Sequence, residues 1–430
     1  MINYAHKILN SKGETTIVAV KGRFSTFKDA CYYNTLEALT LLEKYDEKFK
    51  RFIESSKGKT ALIKPNSAFP PAKDDKRLEG CQYLGPHNYD TTDPDAIRAV
   101  VDYLLDKKIG KVLIAESVFW KGGTLAAFQL CGYYDVISES EKVKFIELTT
   151  RTAEGEKRIR LNVPDIQKAP NEKYREIEVN KILTTVDFIV NMPKLKTHVS
   201  SALTGAIKNY FGFLNPRVRF RAHEGVDPAG KDYPRKIYAY HYKVVSEAVA
   251  QTHAAITFSL NLPEIDVVDG VICCEGDGPH WKPGSPREDW IIFASFNEPV
   301  AMDKVLLEYT GVNRQRIVDL SRNFLERIGL PKEEIEKILP IYDNEVYHVK
   351  LAETLGLGST NTNKVKLILA TKDTEPPSDI YGMREKPFKA PKFISEGACT
   401  IEWEKVPKPD ELIVIEPKLV VPQLVSSEDK

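Results

Sequence analysis

"TTDPDAIRAVVDYLLDKKIGKVLIAES", residues 91–117, contains a helix with both of its ends marked and, directly after it, a strand. Asp93 stands where an N-cap is needed, Pro94 occupies the first helical position, and Gly110 marks the stop. "KVLIAES" is then apolar without alternation, the pattern of a strand covered on both faces. "TALIKPN" at residues 60–66 is a second strand of this kind. A helix from about Thr124 to Tyr133, the strand-like "VKFIELTT" and the segment "KILTTVDFIVNMPKLK" continue the alternation. The helix "YKVVSEAVAQTHAAI", the strands "EIDVVDGVI" and "DWIIFAS", and the helix "EPVAMDKVLLEYTG" complete it. Such a series predicts an α/β fold, a mainly parallel or mixed sheet flanked by helices.

After Gly311 the texture changes to a charged helical stretch, then "KVKLILATK", then a Pro- and Lys-rich run. The expected organisation is an α/β domain over residues 1–311, with its core at about 59–311, and an appended C-terminal α+β module with a Pro-rich tail over 312–430. A chain of 430 residues exceeds what one small core supports, which agrees with that division.

Lys plus Arg and Asp plus Glu each number 61, so no global field favours nucleic acid or an anionic membrane, and any recognition of anions must be local. No apolar run approaches the roughly 20 residues that span a bilayer, and the opening residues lack a signal-peptide core. The expectation is a soluble cytoplasmic protein with neither membrane nor nucleic-acid partner. The six cysteines are scattered with no C-x-x-C, which argues against a disulfide framework and a zinc ribbon. Gln is scarce while Lys and Glu abound, a bias reported in proteins from hot environments.

No P-loop, dinucleotide fingerprint or nucleophile elbow is present in the sequence. Ligands of open α/β sheets gather outside the carboxyl ends of strands, so the residues after each predicted strand are the candidates. They are Lys64 and Asn66, then Glu116, then Lys194 to His198, then Cys273 to Gly278. In an extended "KLKTH", alternation sets Lys194, Lys196 and His198 on one face, suited to a phosphate or carboxylate. A helix through "LTGAIKNYFGFL" would place Leu203, Ala206, Ile207, Tyr210, Phe211 and Leu214 on one side. Thr204, Gly205, Lys208, Asn209 and Gly212 fall on the other. Glycines inside a helix cost about 1 kcal/mol each, so two of them call for close approach of a ligand or of a neighbouring element.

The loop "CCEGDGPHWKPGSPRE" offers Glu275, Asp277 and His280, with Asp269 before it and Asp303 in the next helix. Carboxylates of this kind hold a hard divalent ion or act as a general base, and they equally form solvated acidic turns. Adjacent Cys273 and Cys274 fit a buried pair of small apolar residues. His241 and His253, too far apart on one helix to share a metal, are expected to be structural.

The set "IKPN", "TDPDAIRAVVDYL", "KVLIAES", "NMPKLKTH", "LTGAIKNYFG", "VVDGVICCEGDGP", "PGSP" and "AMDKVLLEYTG" resembles, in order, the domain of unknown function 362 family over about Lys59 to Gly311. Some members of that family carry a ferredoxin-like module. This chain has no cysteine run for one, so no self-contained iron–sulfur cluster is expected. The matching motifs contain Lys64, Asn66, Glu116, Lys194, Lys196, His198, Lys208, Asn209, Asp269, Glu275, Gly278 and Asp303.

The leading expectation is an enzyme that binds an anionic small molecule through Lys64, Asn66, Lys194, Thr204, Lys208 and Asn209. His198, Lys196 and Glu275 are its candidate catalytic groups, and Asp269 and Asp303 its candidate ligands for a divalent metal, the cofactor otherwise being open. Crowded lysines lower one another's pKa, so one of them is suited to act as base or Schiff-base nucleophile. The alternatives are a redox protein working with a separate electron carrier, and a non-catalytic metabolite-binding protein. Association into a homo-oligomer is left open.

Overall fold

Consecutive residues of the inner strands belong to different cores. Ile17 and Ala19 join one apolar cluster and Val18 and Val20 the other; Leu62 stands opposite Ala61 and Ile63, and Leu113 opposite Val112 and Ile114. Both faces of the sheet are therefore buried, which explains continuous apolar runs in place of alternation. The computed structural model describes residues 2–391 except 68–69, 72–84, 119–121, 150–154, 164, 224–237, 280–283, 336–345 and scattered positions between 314 and 334.

The strands are β1 (Tyr4–Leu9), β2 (Thr15–Lys21), β3 (Thr60–Pro65), β4 (Lys111–Glu116), β5 (Val143–Glu147), β6 (Glu156–Arg160) and β7 (Glu176–Asn180). They continue with β8 (Phe188–Met192), β9 (Lys194–His198), β10 (Ala202–Thr204), β11 (Glu264–Gly276), β12 (Gly284–Phe296) and β13 (Val365–Lys372). Eleven of them form one sheet, with the path β1-β13-β2-β12-β11-β8-β3-β4-β5, while β9 and β10 attach beside β11. Strands β11, β8, β3, β4 and β5 run parallel, and β12 is antiparallel to both its neighbours, so the sheet is mixed. The remaining pair, β6 and β7, forms a separate antiparallel ladder.

One face carries α1 (Phe27–Tyr45), α2 (Glu47–Ser55), α3 (Pro94–Asp106), α4 (Thr124–Leu130) and α5 (Tyr133–Val136). The other carries α6 (Ala206–Asn209), α7 (Pro216–His223), α8 (Tyr238–Leu260), α9 (Pro299–Thr310) and the helix Tyr347–Thr354, here α10. The α/β architecture expected from the sequence is thus present. Among the described residues no helix is long and apolar enough to cross a membrane.

Several elements differ from expectation. Helix α3 begins at Pro94 with Asp93 capping Asp95 N, but it ends at Asp106, and Lys108 rather than Gly110 takes the left-handed conformation. The helix expected over 124–133 breaks at Gly132, whose φ is 74°. The long helix expected through Leu203 to Leu214 is three short pieces: β10, the four-residue α6 and a 3₁₀ turn at Tyr210–Phe213. β9 recruits β10 by pairing, Thr204 with Lys196 and Ala202 with His198, so the chain spends those residues on a ladder and not on a first turn. Strand β13, placed by the sequence in a module after 311, runs between β1 and β2 in the main sheet. Most of the charged stretch 314–345 lies outside the described residues, as do His280 and the side chain of His241.

Chain direction locates a crevice. From β3 the chain proceeds outward to β4 and β5, then returns to the opposite side of β3 as β8. Parallel sheets bind ligands where strand order reverses in this way, outside the carboxyl ends. Here those ends are Lys64-Pro65-Asn66 on β3 and Asn191-Met192 on β8, which face each other in register.

Candidate functional site

At the end of β3, Lys64 lies almost fully buried and donates to Glu116 Oε2 at 2.7 Å and to the Pro65 carbonyl at 2.7 Å. Glu116, at the end of β4, also accepts from the Ser67 and Ser117 amides. Burial pushes the Lys64 ammonium below its ordinary pKa, against the opposing pull of Glu116. Lys196 on β9 donates to Asp90 Oδ1 at 2.7 Å, to the Asp90 carbonyl and to Asn66 Oδ1 at 2.9 Å. Asn66 in turn donates to Asn209 Oδ1, and the Asn209 amide donates to the Lys64 carbonyl and to Asn191 Oδ1. This chain of amides ties β3, β8, β9 and α6 into one unit.

Helix α6 is held from every side. Its first amides, of Ala206 and Ile207, donate to the two Asp303 carboxylate oxygens at 2.6 and 3.1 Å. Asn191 donates to the Ala206 carbonyl and to Glu264 and Asp266 beneath it. Tyr210 stacks on His253 at 3.6 Å, and His253 Nε2 lies 2.7 Å from Glu264. Burial raises Glu264 to about 7, lifts Asp266 well above the carboxylate range and lowers His253 to about 4. The underside of α6 is therefore a buried proton-holding network.

The two glycines of this stretch are explained by side chains. A Cβ on Gly205 would overlap the Asp303 carboxylate, and one on Gly212 would lie 2.6 Å from Lys64 Nζ and 2.9 Å from Glu116 Oε1. Gly212→Ala is accordingly expected to cost about 1–3 kcal/mol by forcing the buried pair apart. Urea denaturation of the variant measures it; a midpoint equal to that of the parent would show that the pair has slack.

Lys208 differs from the other lysines of the site. It projects from α6 partly exposed, and it makes no hydrogen bond or ion pair with any described residue. Burial in the crevice, then Lys196, Arg219 and Lys64, lower its pKa to about 7. Arg219 on α7 donates to the Ser117 carbonyl and hydroxyl, and burial lowers it to about 10. Among the described residues, four cations (Lys64, Lys196, Lys208, Arg219) thus face two carboxylates (Glu116, Asp90). The Thr204 hydroxyl, opposite Lys196 in the β9–β10 pair, is buried with no hydrogen-bond partner.

Lys64, Asn66, Lys196, Lys208 and Asn209 of the expected set are brought together. Lys194 is turned to Asp269 at 2.8 Å; burial opposes its charge, and Asp269 with its neighbours holds its pKa above the ordinary value. His198 accepts from the Ser200 amide and meets its hydroxyl at 3.1 Å, a local turn contact. Glu275 pairs with Arg287 at 3.3 Å and accepts from the Lys389 amide, so it pins the chain after β13 and not the lysines.

Asp269 and Asp303, expected together at a metal, serve different ends of the structure. Asp269 accepts from Lys194 and from the Asp93 and Val271 amides, while Asp303 caps α6. Among the described residues, metal-ligand spacing occurs instead at His87, Asp93 and Asp95, where Asp93 is already bonded to His87 and Arg98 neutralises Asp95. Cys273 and Cys274 are buried and free, one in each core.

Sequence reasoning missed Arg219 and Asp90. Arg219 lies on α7 and Asp90 in the segment before α3, neither at a strand end, and the alternating arginines of "PRVRFR" hinted at the first.

The domain of unknown function DUF362 matches residues 82–308, from the approach to α3 through nearly all of α9. The chain belongs to that family. The DUF362 region supplies Asp90, Glu116, Lys196, Lys208 and Arg219, and Lys64 and Asn66 stand just before it. A thylakoid-associated protein from Synechocystis sp. is 27% identical over 171 residues, which is 40% of this chain and 46% of that protein. The chain thus matches less than half the length of that relative. Among solved structures, a Thermotoga maritima protein aligns with 12% identity and a TM-score of 0.33, covering 75% of this chain and 59% of that one. The lactate racemase apoprotein from Thermoanaerobacterium thermosaccharolyticum aligns with 14% identity and a TM-score of 0.30, covering 60% and 52%.

Proposed function

We propose that this DUF362 protein binds a small anionic molecule, a carboxylate or phosphate, in the crevice between the ends of β3, β4 and β9 and the helices α6 and α7. The observation that carries the reading is Lys208, a cation with no counter-charge among the described residues, set beside three further cations. A partly desolvated cation crowded by other cations is costly, and an anion entering the crevice would lower that cost. The unpartnered Thr204 hydroxyl on the Lys196 face is suited to add a hydrogen bond. Lys64, Lys196 and Asn66 are already fixed by their own partners, so they present charge and amide groups with little reorganisation.

Thermal shift with inorganic phosphate and small carboxylates tests this. The parent protein should be stabilised, and Lys208→Met should lose the shift while melting at the same temperature or higher without ligand. Unchanged stabilisation of Lys208→Met by these anions would defeat the reading.

The pH dependence has a definite sign. Lys208 has a folded pKa of about 7 against about 10.4 for an unfolded lysine, so between those values the unfolded chain binds more protons. Its contribution to stability therefore rises with pH across that window, and this slope should vanish in Lys208→Met. An anion binds the ammonium form, so affinity should fall above pH 7, by at most about tenfold per unit for one linked proton.

A further inference from the structure

An anion would supply the counter-charge that Lys208 lacks, and an amine left with no hydrogen bond of its own is also placed to react. Lys64 is tied to Glu116, Lys194 to Asp269 and Lys196 to Asp90, so their lone pairs are occupied by protons held in ion pairs. Lys208 alone among these four has neither hydrogen bond nor ion pair with a described residue, and it reaches partly exposed space at the switch point. An amine in that position is a nucleophile, and the cations around it select an electrophile that carries negative charge.

We propose that Lys208 forms an imine with the carbonyl carbon of a small oxo acid whose carboxylate lies in the positive field of Lys64, Lys196 and Arg219. The inference rests on the anion-binding reading above. The neutral Nζ attacks the carbonyl carbon; the new C–N bond forms as the C=O π pair moves to oxygen. One proton passes from nitrogen to that oxygen, giving a carbinolamine. Loss of water, with the oxygen leaving as hydroxide plus a proton, yields C=N, and protonation of nitrogen gives the iminium. No oxidant or reductant is involved.

The groups facing Lys208 are Lys196 from β9, Arg219 from α7 and Lys64 from β3. Glu116 from β4 and Asp90 answer two of them. With this surround about half of the amine is neutral at pH 7, where an ordinary lysine has on the order of one part in a thousand neutral. The iminium restores the positive charge, and the substrate carboxylate beside it supplies the missing counter-ion.

The test uses the full chain with pyruvate or acetoacetate, reduction by sodium borohydride, and intact-mass and peptide mapping. One adduct per chain at Lys208 is expected, formed about tenfold or more faster than at surface lysines. It should be absent in Lys208→Arg, suppressed by inorganic phosphate, and at least about tenfold weaker with acetone, which has the carbonyl without the charge. Its rate should level off above pH 7 while surface labelling keeps rising. Label spread over surface lysines and unchanged in Lys208→Arg, or equal labelling by acetone, overturns the proposal. If phosphate stabilises the parent but not Lys208→Met and neither oxo acid gives an adduct, the imine fails while the anion site stands. If phosphate and both oxo acids all fail to bind, both fall.

Discussion

Glu116→Ala is expected to lower folding stability by about 3–5 kcal/mol, the usual penalty when one partner of a buried ion pair is removed. Lys64 and Glu116 have side chains only 1% and 2% exposed, so water cannot replace the lost carboxylate. Three donors lose their acceptor together: Lys64 Nζ, the Ser67 amide and the Ser117 amide. Nearby Arg219 and Lys208 enlarge the penalty, since Glu116 is the carboxylate that offsets Arg219. The loss belongs to the orphaned charge and not to the pair, because burial alone pushes Lys64 toward the neutral form. Pairing Glu116→Leu with Lys64→Met should therefore recover much of the stability that either loses singly. Urea denaturation of the two single variants and the double gives the cycle. A single-variant loss below about 1 kcal/mol would mean that the crevice is wet enough to solvate Lys64.

Much of this frame is legible in the residues because local signals and tertiary structure agree. Asp93 and Pro94 start α3 as capping chemistry requires, and unbroken apolar runs mark β3, β4 and β8 as strands covered on both faces. Polar residues straight after such strands have one place to go, which is why Lys64, Asn66 and Lys196 come together, while Asn209 joins them from α6 through Asn66.

Glu275 fails by the same rule for a geometric reason. Cys274, the residue before Glu275, is the one level with Lys196 on β9, so Glu275 turns to the opposite face of β11 and meets Arg287. Asp269, midway along β11, is the residue level with Lys194. The stretch 203–214 misleads because its apolar spacing suits a helix, whereas pairing of Thr204 with Lys196 is a non-local contact that no window of sequence reveals. Its glycines did signal a close approach, but what approaches is the Asp303 carboxylate and the Lys64–Glu116 pair.

Asp303→Ala is expected to cost about 2–5 kcal/mol and to weaken anion binding at the same time. Asp303 is fully buried on α9 and accepts both leading amides of α6, so its removal leaves two buried donors unsatisfied at roughly 1–3 kcal/mol each. The His348 ring, 3.8 Å from Oδ2, is buried and has no hydrogen bond among the described residues, so it cannot take over both amides from where it stands. A four-residue helix has no stability apart from such anchors, and Lys208 is its third residue. Losing the cap should therefore move Lys208 relative to Lys64 and Lys196. Asp303→Asn keeps one acceptor oxygen but turns an amino group toward the other amide, so it should fall between the two. A chelator separates this role from metal binding. If Asp303 acts as a cap, EDTA leaves the melting temperature of the parent unchanged while Asp303→Ala lowers it by several degrees. A drop with EDTA that matches the variant would instead assign the carboxylate to an ion.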